Sequence, residues 1–179
     1  MSIEFKSERL NIRSMDSNDW KSQRFVNELK DFLISKETSQ YAVYDGWYPT
    51  DDSGIMRMAE WMPRDNDFLA VRLLSDDTFI GYIFHKIREP KKLSLGYAIN
   101  SAYQNKGYGS EACRALFDYA FKNMGVECVE AGTANANTPS VRMLEKLNFR
   151  KMSERTQSHR KDEHGNPIEF IESLYLYTR

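Results

Sequence analysis

A polar turn with two glycines, residues 104–110 (Gln-Asn-Lys-Gly-Tyr-Gly-Ser), follows the apolar run 93–99 and opens an amphipathic segment. A turn of this kind between a strand and a helix can bind a pyrophosphate. Glycine lets the backbone turn tightly and approach a ligand closely, while the free N–H groups and positive dipole end of the first helical turn attract the anion. The pattern therefore predicts an anion site on the backbone amides of this turn.

The segment behind the turn favours this prediction over an ordinary helix entry. Its apolar residues recur at i, i+3, i+4 and i+7, and Gly125 follows where a left-handed C-cap belongs. These residues are Ala112, Cys113, Leu116, Phe117, Ala120, Phe121 and Met124. The turn is not a P-loop, because Lys106 precedes Gly107, and it has only two of the three glycines of a dinucleotide-binding fingerprint.

Three segments carry a resemblance to a known family. Gln-x-x-Gly-x-Gly at 104–109 resembles the acyl-CoA-binding motif of the GNAT superfamily of N-acetyltransferases. Segment 134–149 is similar to the family's later N-x-x-S-x-x-x-L-E-K-x-G-F pattern, with Asn148 in place of the glycine. Segment 7–13 resembles the E-R-L-x-L-R start of the branch that includes ribosomal-protein N-terminal acetyltransferases. The resemblance covers the chain from near its start to at least Phe149.

The resemblance implies an α+β (mixed α/β) fold of three layers, with a mixed, twisted, mostly antiparallel sheet whose central strands splay apart around acetyl-CoA. It also implies which residues bind this co-substrate: the loop amides of Lys106, Gly107, Tyr108, Gly109 and Ser110, the flanking Gln104 and Asn105, and the strand end Tyr97, Ala98 and Ile99. An N–H of Ala98 or Ile99 would face the thioester oxygen. A solvated surface lysine is the alternative for Lys106.

Two residues at the start of the later helix are candidates for the chemistry. Asn137 resembles the family residue that hydrogen-bonds the pantetheine, and Ser140 resembles the residue proposed to protonate the leaving thiolate. Many family members use a tyrosine slightly further along, which is missing here. The alternative is that Ser140 only bonds a backbone N–H in the first helical turn.

The general base has three candidates. His159 follows the second motif, roughly where the ribosomal branch places a catalytic carboxylate, and histidine accepts protons near neutrality. Its charged surroundings leave an ordinary surface histidine as the alternative. Glu172 alternates with apolar neighbours, which also fits the solvent face of a strand, and His85 ends a predicted strand. The aromatic segment 41–48 and the helix near Trp61 lie where the family builds its acceptor pocket; the alternative is a loop packed over the core.

The elements that must position these residues alternate along the chain. Strands are predicted at 5–13, 68–74, 78–86, 93–99, 127–133, 149–155 and 168–177, with a turn at 165–167. Helices are predicted around 20–33, from a Ser53 cap to Pro63, at 107–124, and from Pro139 to Asn148 with Thr138 as the cap. Residues 1–179 show no internal linker, so we expect a single acyl-CoA N-acyltransferase domain.

Composition narrows the class of protein. A net charge of −1 argues against a nucleic-acid partner bound through a basic surface, and no run of apolar residues reaches membrane-spanning length. Cys113 and Cys128 form no evident disulfide or metal framework, which suits a reducing cytoplasm. We therefore expect no metal and a cytoplasmic protein, with a homodimer left open.

The sequence predicts an acetyl-CoA-dependent N-acetyltransferase in which a primary amine attacks the thioester directly in a ternary complex. The leading acceptor is a protein N-terminal α-amine. The alternatives are a small amine (a polyamine, an amino acid or an antibiotic) and a CoA-binding module without turnover.

Overall fold

The computed structural model describes residues 2–64 and 67–179, and its centre is an eight-stranded sheet in the order β1-β2-β3-β4-β5-β6-β8-β7. The strands are β1 Glu4–Lys6, β2 Leu10–Ser14, β3 Phe68–Leu73, β4 Phe79–Glu89, β5 Lys92–Ile99, β6 Cys128–Ala134, β7 Arg150–Lys161 and β8 Pro167–Thr178. All neighbouring strands are antiparallel except β5 and β6, which are parallel. The mixed, mostly antiparallel sheet is therefore confirmed.

Five α-helices cover the two faces of the sheet in the described part of the chain: α1 Ser17–Lys21, α2 Gln23–Glu37, α3 Asp52–Trp61, α4 Tyr108–Asn123 and α5 Thr138–Lys146. One core cluster packs α4 and α5 on the sheet, and a second packs α2 and α3 on the opposite face. The predicted three-layer design is confirmed. None of the described helices is long and apolar enough to cross a membrane.

The periodicity behind the glycine turn predicts α4 well. Ala112, Cys113, Leu116, Phe117 and Ala120 are buried against the sheet, as the spacing requires. Gly125 has φ 65°, the left-handed conformation expected of a residue after a helix end, and Asn148 has φ 64° after α5. Asparagine therefore takes the place of the family's glycine at this position.

Several predicted boundaries are wrong. The first predicted strand is a hairpin, β1 and β2, closed by a bond from the Ser7 N–H to the Leu10 carbonyl. The cap of α3 is Asp51 rather than Ser53, and that of α5 is Asn137 rather than Thr138. Each true cap has a carboxylate or amide oxygen that accepts from an N–H three residues later, as capping requires.

The last hairpin is longer than the sequence predicts. β7 reaches Lys161 instead of ending at 155, and β8 pairs with β6 only from Glu172 onwards. Residues 157–161 and 167–171 therefore extend past the C-terminal end of β6. Periodicity could not reveal this extension because residues 157–161, Gln-Ser-His-Arg-Lys, include no apolar residue that could alternate with polar ones.

The parallel pair at the centre of the sheet is incomplete. β5 and β6 pair from Lys92 with Cys128 to Leu95 with Ala131, and no further. Residues 96–99 of β5 and 132–134 of β6 continue their strands but do not pair with each other. Residues 96–99 still pair with β4, and residues 132–134 still pair with β8. The splayed central strands implied by the family resemblance are thus present in the register, and they leave a gap that opens toward α4 and α5.

Candidate functional site

The glycine turn lies directly beyond the end of β5. A short 3-10 helix, Ser101–Tyr103, follows the strand, and the Gln104 side-chain amide donates to the Ile99 carbonyl at 2.8 Å. Asn105 and Gly107 both have left-handed backbones, with φ 60° and 83°. These two residues reverse the chain over a short distance and deliver it to α4.

The N-terminus of α4 is open toward solvent. Gly107 is the N-cap, and no side chain among the described residues caps this helix end. The Ser110 hydroxyl and the Glu111 N–H both bond the Gly107 carbonyl, so this carbonyl points into the helix. The N–H groups of the first turn therefore remain available for an anion, in line with the predicted backbone site.

The two glycines of the motif serve different purposes. Gly107 needs the left-handed backbone that side chains disfavour. Gly109 has an ordinary helical backbone, but a Cβ there would lie 3.1 Å from the Met143 sulfur and 3.6 Å from Ile99. Its missing side chain therefore lets α5 and β5 approach the first turn of α4.

The side chain of Lys106 is directed back along its own turn. Its Nζ donates to the Ala102 carbonyl at 3.0 Å and lies 5.3 Å from the centre of the Tyr103 ring. The ammonium group therefore bonds within its own turn, while the residue remains exposed.

The catalytic candidates on α5 meet a residue of β5 across the gap. The Tyr97 hydroxyl lies 2.7 Å from the Ser140 Oγ, and Asn137 Oδ1 accepts from the Ser140 N–H at 3.4 Å. Burial raises the pKa of the Tyr97 hydroxyl well above its usual value, with the Ser140 hydrogen bond opposing the shift. Tyr97 is therefore a neutral phenol at physiological pH, and it can donate to Ser140 while the serine proton points elsewhere.

The three candidate bases occupy different places. Glu172 pairs with Ala134 at the end of β6, forms a 2.5 Å ion pair with Arg155, and lies over Gly132, where a Cβ would be 2.6 Å from its Oε1. It therefore borders the unpaired part of β6.

The two histidines lie elsewhere. His159 is an exposed residue of the hairpin extension, with its ring 5.4 Å from that of Phe170. His85 is buried in β4 opposite Leu95, the last residue of β5 that pairs with β6. The structure therefore brings Ser140, Asn137 and Tyr97 together but leaves His159 outside that group.

An arginine joins the hairpin extension to the aromatic segment 41–48. Arg160 is 7% exposed, and its guanidinium donates to both Glu37 carboxylate oxygens at 2.8 and 2.7 Å and to the Asp45 and Gly46 carbonyls at 2.9 Å. The Trp47 ring stacks on it at 4.2 Å while remaining 70% exposed. The hairpin extension and segment 41–48 thus form one wall beyond the gap between β5 and β6.

Aromatic side chains line the same face of the sheet. Trp61, Tyr82 and Phe84 each pack edge-on against Phe68, and Phe84 lies beside Gly96, where a Cβ would be 3.4 Å away. Gly96 is the first residue of β5 that pairs with β4 but not with β6. An apolar surface therefore runs from α3 to the edge of the gap.

Sequence reasoning missed three contributors: Arg9, the Tyr97 hydroxyl and Arg160. Tyr97 was assigned for its backbone, and a phenol 43 residues from Ser140 in sequence gives no local signal. Arg9 belonged to the opening motif, but no pattern placed it against α4. The only available hint for Arg160 was a charged residue beside His159 in a strand-like stretch.

Comparison with known proteins agrees with this geometry. Residues 9–150 match the sequence profile of the acetyltransferase (GNAT) domain. An uncharacterized N-acetyltransferase of Bacillus subtilis, YnaD, is 29% identical over 147 residues, 81% of each chain.

Two solved structures have similar folds. A GNAT-family acetyltransferase from Bacillus anthracis superposes with a TM-score of 0.77 at 25% identity, covering 98% of both chains. The ribosomal-protein-S5-alanine acetyltransferase of Vibrio fischeri does so with a TM-score of 0.73 at 18% identity, covering 98% of this chain and 96% of its own.

Proposed function

The chain belongs to the GNAT acetyltransferase family and is an N-acetyltransferase, and from this premise we propose that it acetylates protein N-terminal α-amines with acetyl-CoA bound across the β5–β6 gap. The observation that carries the proposal is the Tyr97–Ser140 hydrogen bond, which lies where β5 stops pairing with β6, in a chain whose helix α4 begins without a side-chain cap.

The diphosphate of CoA binds the amides of residues 106–110. The left-handed Asn105 and Gly107 shape the loop, and the 16-residue helix α4 contributes its positive N-terminal dipole. Gln104 fixes the loop to the end of β5 through the Ile99 carbonyl. The loop thus holds the anion by backbone geometry, and Lys106 adds charge at its edge.

The pantetheine arm lies along the unpaired inner edge of β5. Tyr97, Ala98 and Ile99 pair with β4 on one side only, so their remaining backbone groups face the gap. The two amides of pantetheine can pair with such an edge in the manner of an added strand. An N–H of Ala98 or Ile99 then donates to the thioester oxygen as it becomes an oxyanion, a contribution of about 2.7–4 kcal/mol.

Ser140 stabilises the leaving group. The amine nitrogen attacks the thioester carbon, the C–S bond breaks as the amide forms, and the sulfur leaves as a thiolate. In this mechanism the Tyr97 hydroxyl, 2.7 Å from Ser140 Oγ, acts as the donor to the serine, which leaves the serine proton free to point toward the sulfur. Tyr97 from β5 thus supplies the phenol that this chain lacks on α5, and Asn137 holds the start of that helix.

A protein N-terminal α-amine needs only a weak base to become a nucleophile. An α-amine has a pKa of about 7.7–8.0, whereas deprotonating a lysine amine at pH 7 costs roughly 4–5 kcal/mol. Glu172, at the border of the gap, is our proton acceptor, and His159 stays a candidate on the wall beyond it. The similarity in fold to a ribosomal-protein-S5-alanine acetyltransferase favours the same acceptor class.

A panel of acceptors tests the proposal. Peptides with a free N-terminal alanine or serine are compared with the same peptides blocked at the N-terminus and carrying an internal lysine, and with spermidine and an aminoglycoside. We expect mass spectrometry to find acetylation of the free α-amines. Acetylation of spermidine or the aminoglycoside without acetylation of the peptides would instead establish the small-amine alternative.

A further inference from the structure

An arginine of the β1–β2 turn reaches the first turn of α4. The Arg9 guanidinium bonds Glu111 Oε2 through Nε at 2.7 Å and through NH2 at 2.6 Å, and its NH1 donates to the Lys106 carbonyl at 3.1 Å. The same group lies 4.4 Å from the centre of the Tyr108 ring. Arg9 therefore contacts three residues of the loop and helix start that carry the proposed diphosphate site.

Glu111 places a negative charge beside the proposed diphosphate site. It is the acidic residue of the first turn of α4, with 17% of its side chain exposed. Its Oε1 also accepts from the Ser7 hydroxyl at 2.7 Å and the Arg9 N–H at 2.8 Å. Partial burial raises the pKa of Glu111, but these hydrogen bonds and the guanidinium lower it by more, so the residue is a carboxylate at neutral pH.

A carboxylate in the first helical turn competes with a bound diphosphate. Both anions draw on the same positive N-terminal potential, and they repel each other over the few ångströms that separate successive positions of one turn. The arrangement suits ligand binding only if the charge of Glu111 is offset locally. Arg9 provides that positive charge, and Gly107 leaves room for it, since a Cβ there would lie 3.4 Å from the Arg9 NH2.

We propose that Arg9 is a positioning residue for acetyl-CoA, which neutralises Glu111 so that the first turn of α4 presents a net positive field to the diphosphate. The inference rests on the diphosphate site proposed above and extends it to the β1–β2 turn. The turn is thereby part of the binding machinery through its charge.

Calorimetric titration of CoA into the protein at low ionic strength tests this charge balance. Arg9→Gln is expected to raise the dissociation constant of CoA by about twofold to fivefold, the range that an exposed charge pair can produce. Glu111→Gln in the same chain should restore most of the loss, because the uncompensated carboxylate is then gone. Arg9→Lys, which keeps the charge without the forked hydrogen bonds, should remain close to wild type.

Arg24→Gln is the matched control. Arg24 is also an exposed arginine that pairs with a glutamate, Glu28 at 2.8 Å, and bonds a backbone carbonyl, that of Asp76, but it does so on α2. Its loss should leave CoA affinity unchanged. The deficit of Arg9→Gln relative to wild type should also shrink as salt is added, because exposed charges are screened.

The outcomes separate this inference from the proposed function. If wild-type protein gives no heat with CoA, the proposed diphosphate site fails. If wild type binds CoA but Arg9→Gln binds equally well, the inference alone is overturned. It is overturned as well if Arg9→Gln binds weakly and Glu111→Gln brings no recovery, because Arg9 then acts only by pinning the β1–β2 turn.

Discussion

The Tyr97 hydroxyl and the Ser140 Oγ lie 2.7 Å apart and connect the inner edge of β5 to the first turn of α5. This contact crosses the gap at which the parallel ladder stops. It gives Ser140 a hydrogen-bond partner other than its own helix backbone, which separates it from an ordinary capping serine. A role of Ser140 in the reaction can therefore be tested separately from a role in stabilising α5.

Removing the serine hydroxyl should slow acetyl transfer. We expect Ser140→Ala to lower kcat on an accepted amine by about 100-fold or more, because a positioned general acid contributes roughly 100- to 10,000-fold. Tyr97→Phe, which removes only the partner of the serine, should have a smaller effect. Affinity for acetyl-CoA should stay within about twofold of wild type, as measured by calorimetry. A lowered melting temperature with unchanged kcat would show that Ser140 serves only α5.

A negative charge in the glycine turn should prevent CoA binding. Gly107→Glu places a carboxylate beside the predicted diphosphate site and is expected to abolish measurable affinity. Gly165→Glu is the control, since Gly165 has a similar left-handed φ of 85° with open space around it, but lies in the β7–β8 turn. The control carries the same backbone strain and should bind CoA normally. Near-wild-type affinity of Gly107→Glu would contradict the phosphate assignment.

The Glu37–Arg160 ion pair should make the free energy of unfolding fall as the pH becomes acidic. Partial burial raises the pKa of Glu37, but the Arg160 guanidinium and the Tyr48 N–H lower it by more, so it lies below the usual value of 4.5. A carboxyl group whose pKa is lower in the folded state than in the unfolded state stabilises the fold at pH values above its unfolded-state pKa. This stabilisation is lost as the pH falls through the folded-state pKa.

Glu37→Gln should therefore lower the free energy of unfolding at pH 7 by about 1–3 kcal/mol, and the difference from wild type should narrow as the pH falls below about 4.5. Urea unfolding at several pH values measures this. Glu127→Gln, which breaks an exposed pair with Lys91, should change stability by less than about 1 kcal/mol. A pH-independent deficit of Glu37→Gln would mean that packing, not charge, is lost.

The two cysteines should differ in reactivity. Burial raises the pKa of the Cys113 thiol to about 12, whereas Cys128 is partly exposed on β6. Only a thiolate attacks a disulfide reagent efficiently. We expect titration with such a reagent to modify one thiol in the native protein and both after denaturation. Rapid modification of both in the native state would show that α4 opens from the sheet.

Local sequence was informative where one element decides the outcome. The stripe of α4, the left-handed Gly125 and the start of α5 near Pro139 all follow from backbone preferences and apolar spacing. The choice between Asn137 and Thr138 as a cap did not, because both residue types cap helices and only the path of the chain after β6 selects one.

Contacts between distant segments could not be read from spacing. The bonds of Arg160 to Glu37 and of Arg9 to Glu111 join residues more than a hundred positions apart, through charged side chains that look like ordinary surface residues in the sequence. The far end of β7 escapes prediction for a related reason: residues 157–161 carry no apolar side chain, so only their pairing with β8 defines them as a strand.

The short parallel ladder between β5 and β6 has a consequence for measurement as well as for chemistry. Amide hydrogens of residues 96–99 that point into the gap have no neighbouring strand to protect them from solvent. Deuterium should replace them quickly in the free protein and slowly once a co-substrate occupies the opening. The middle of this sheet therefore contains its own reporter of occupancy, readable by mass spectrometry without any label or known acceptor.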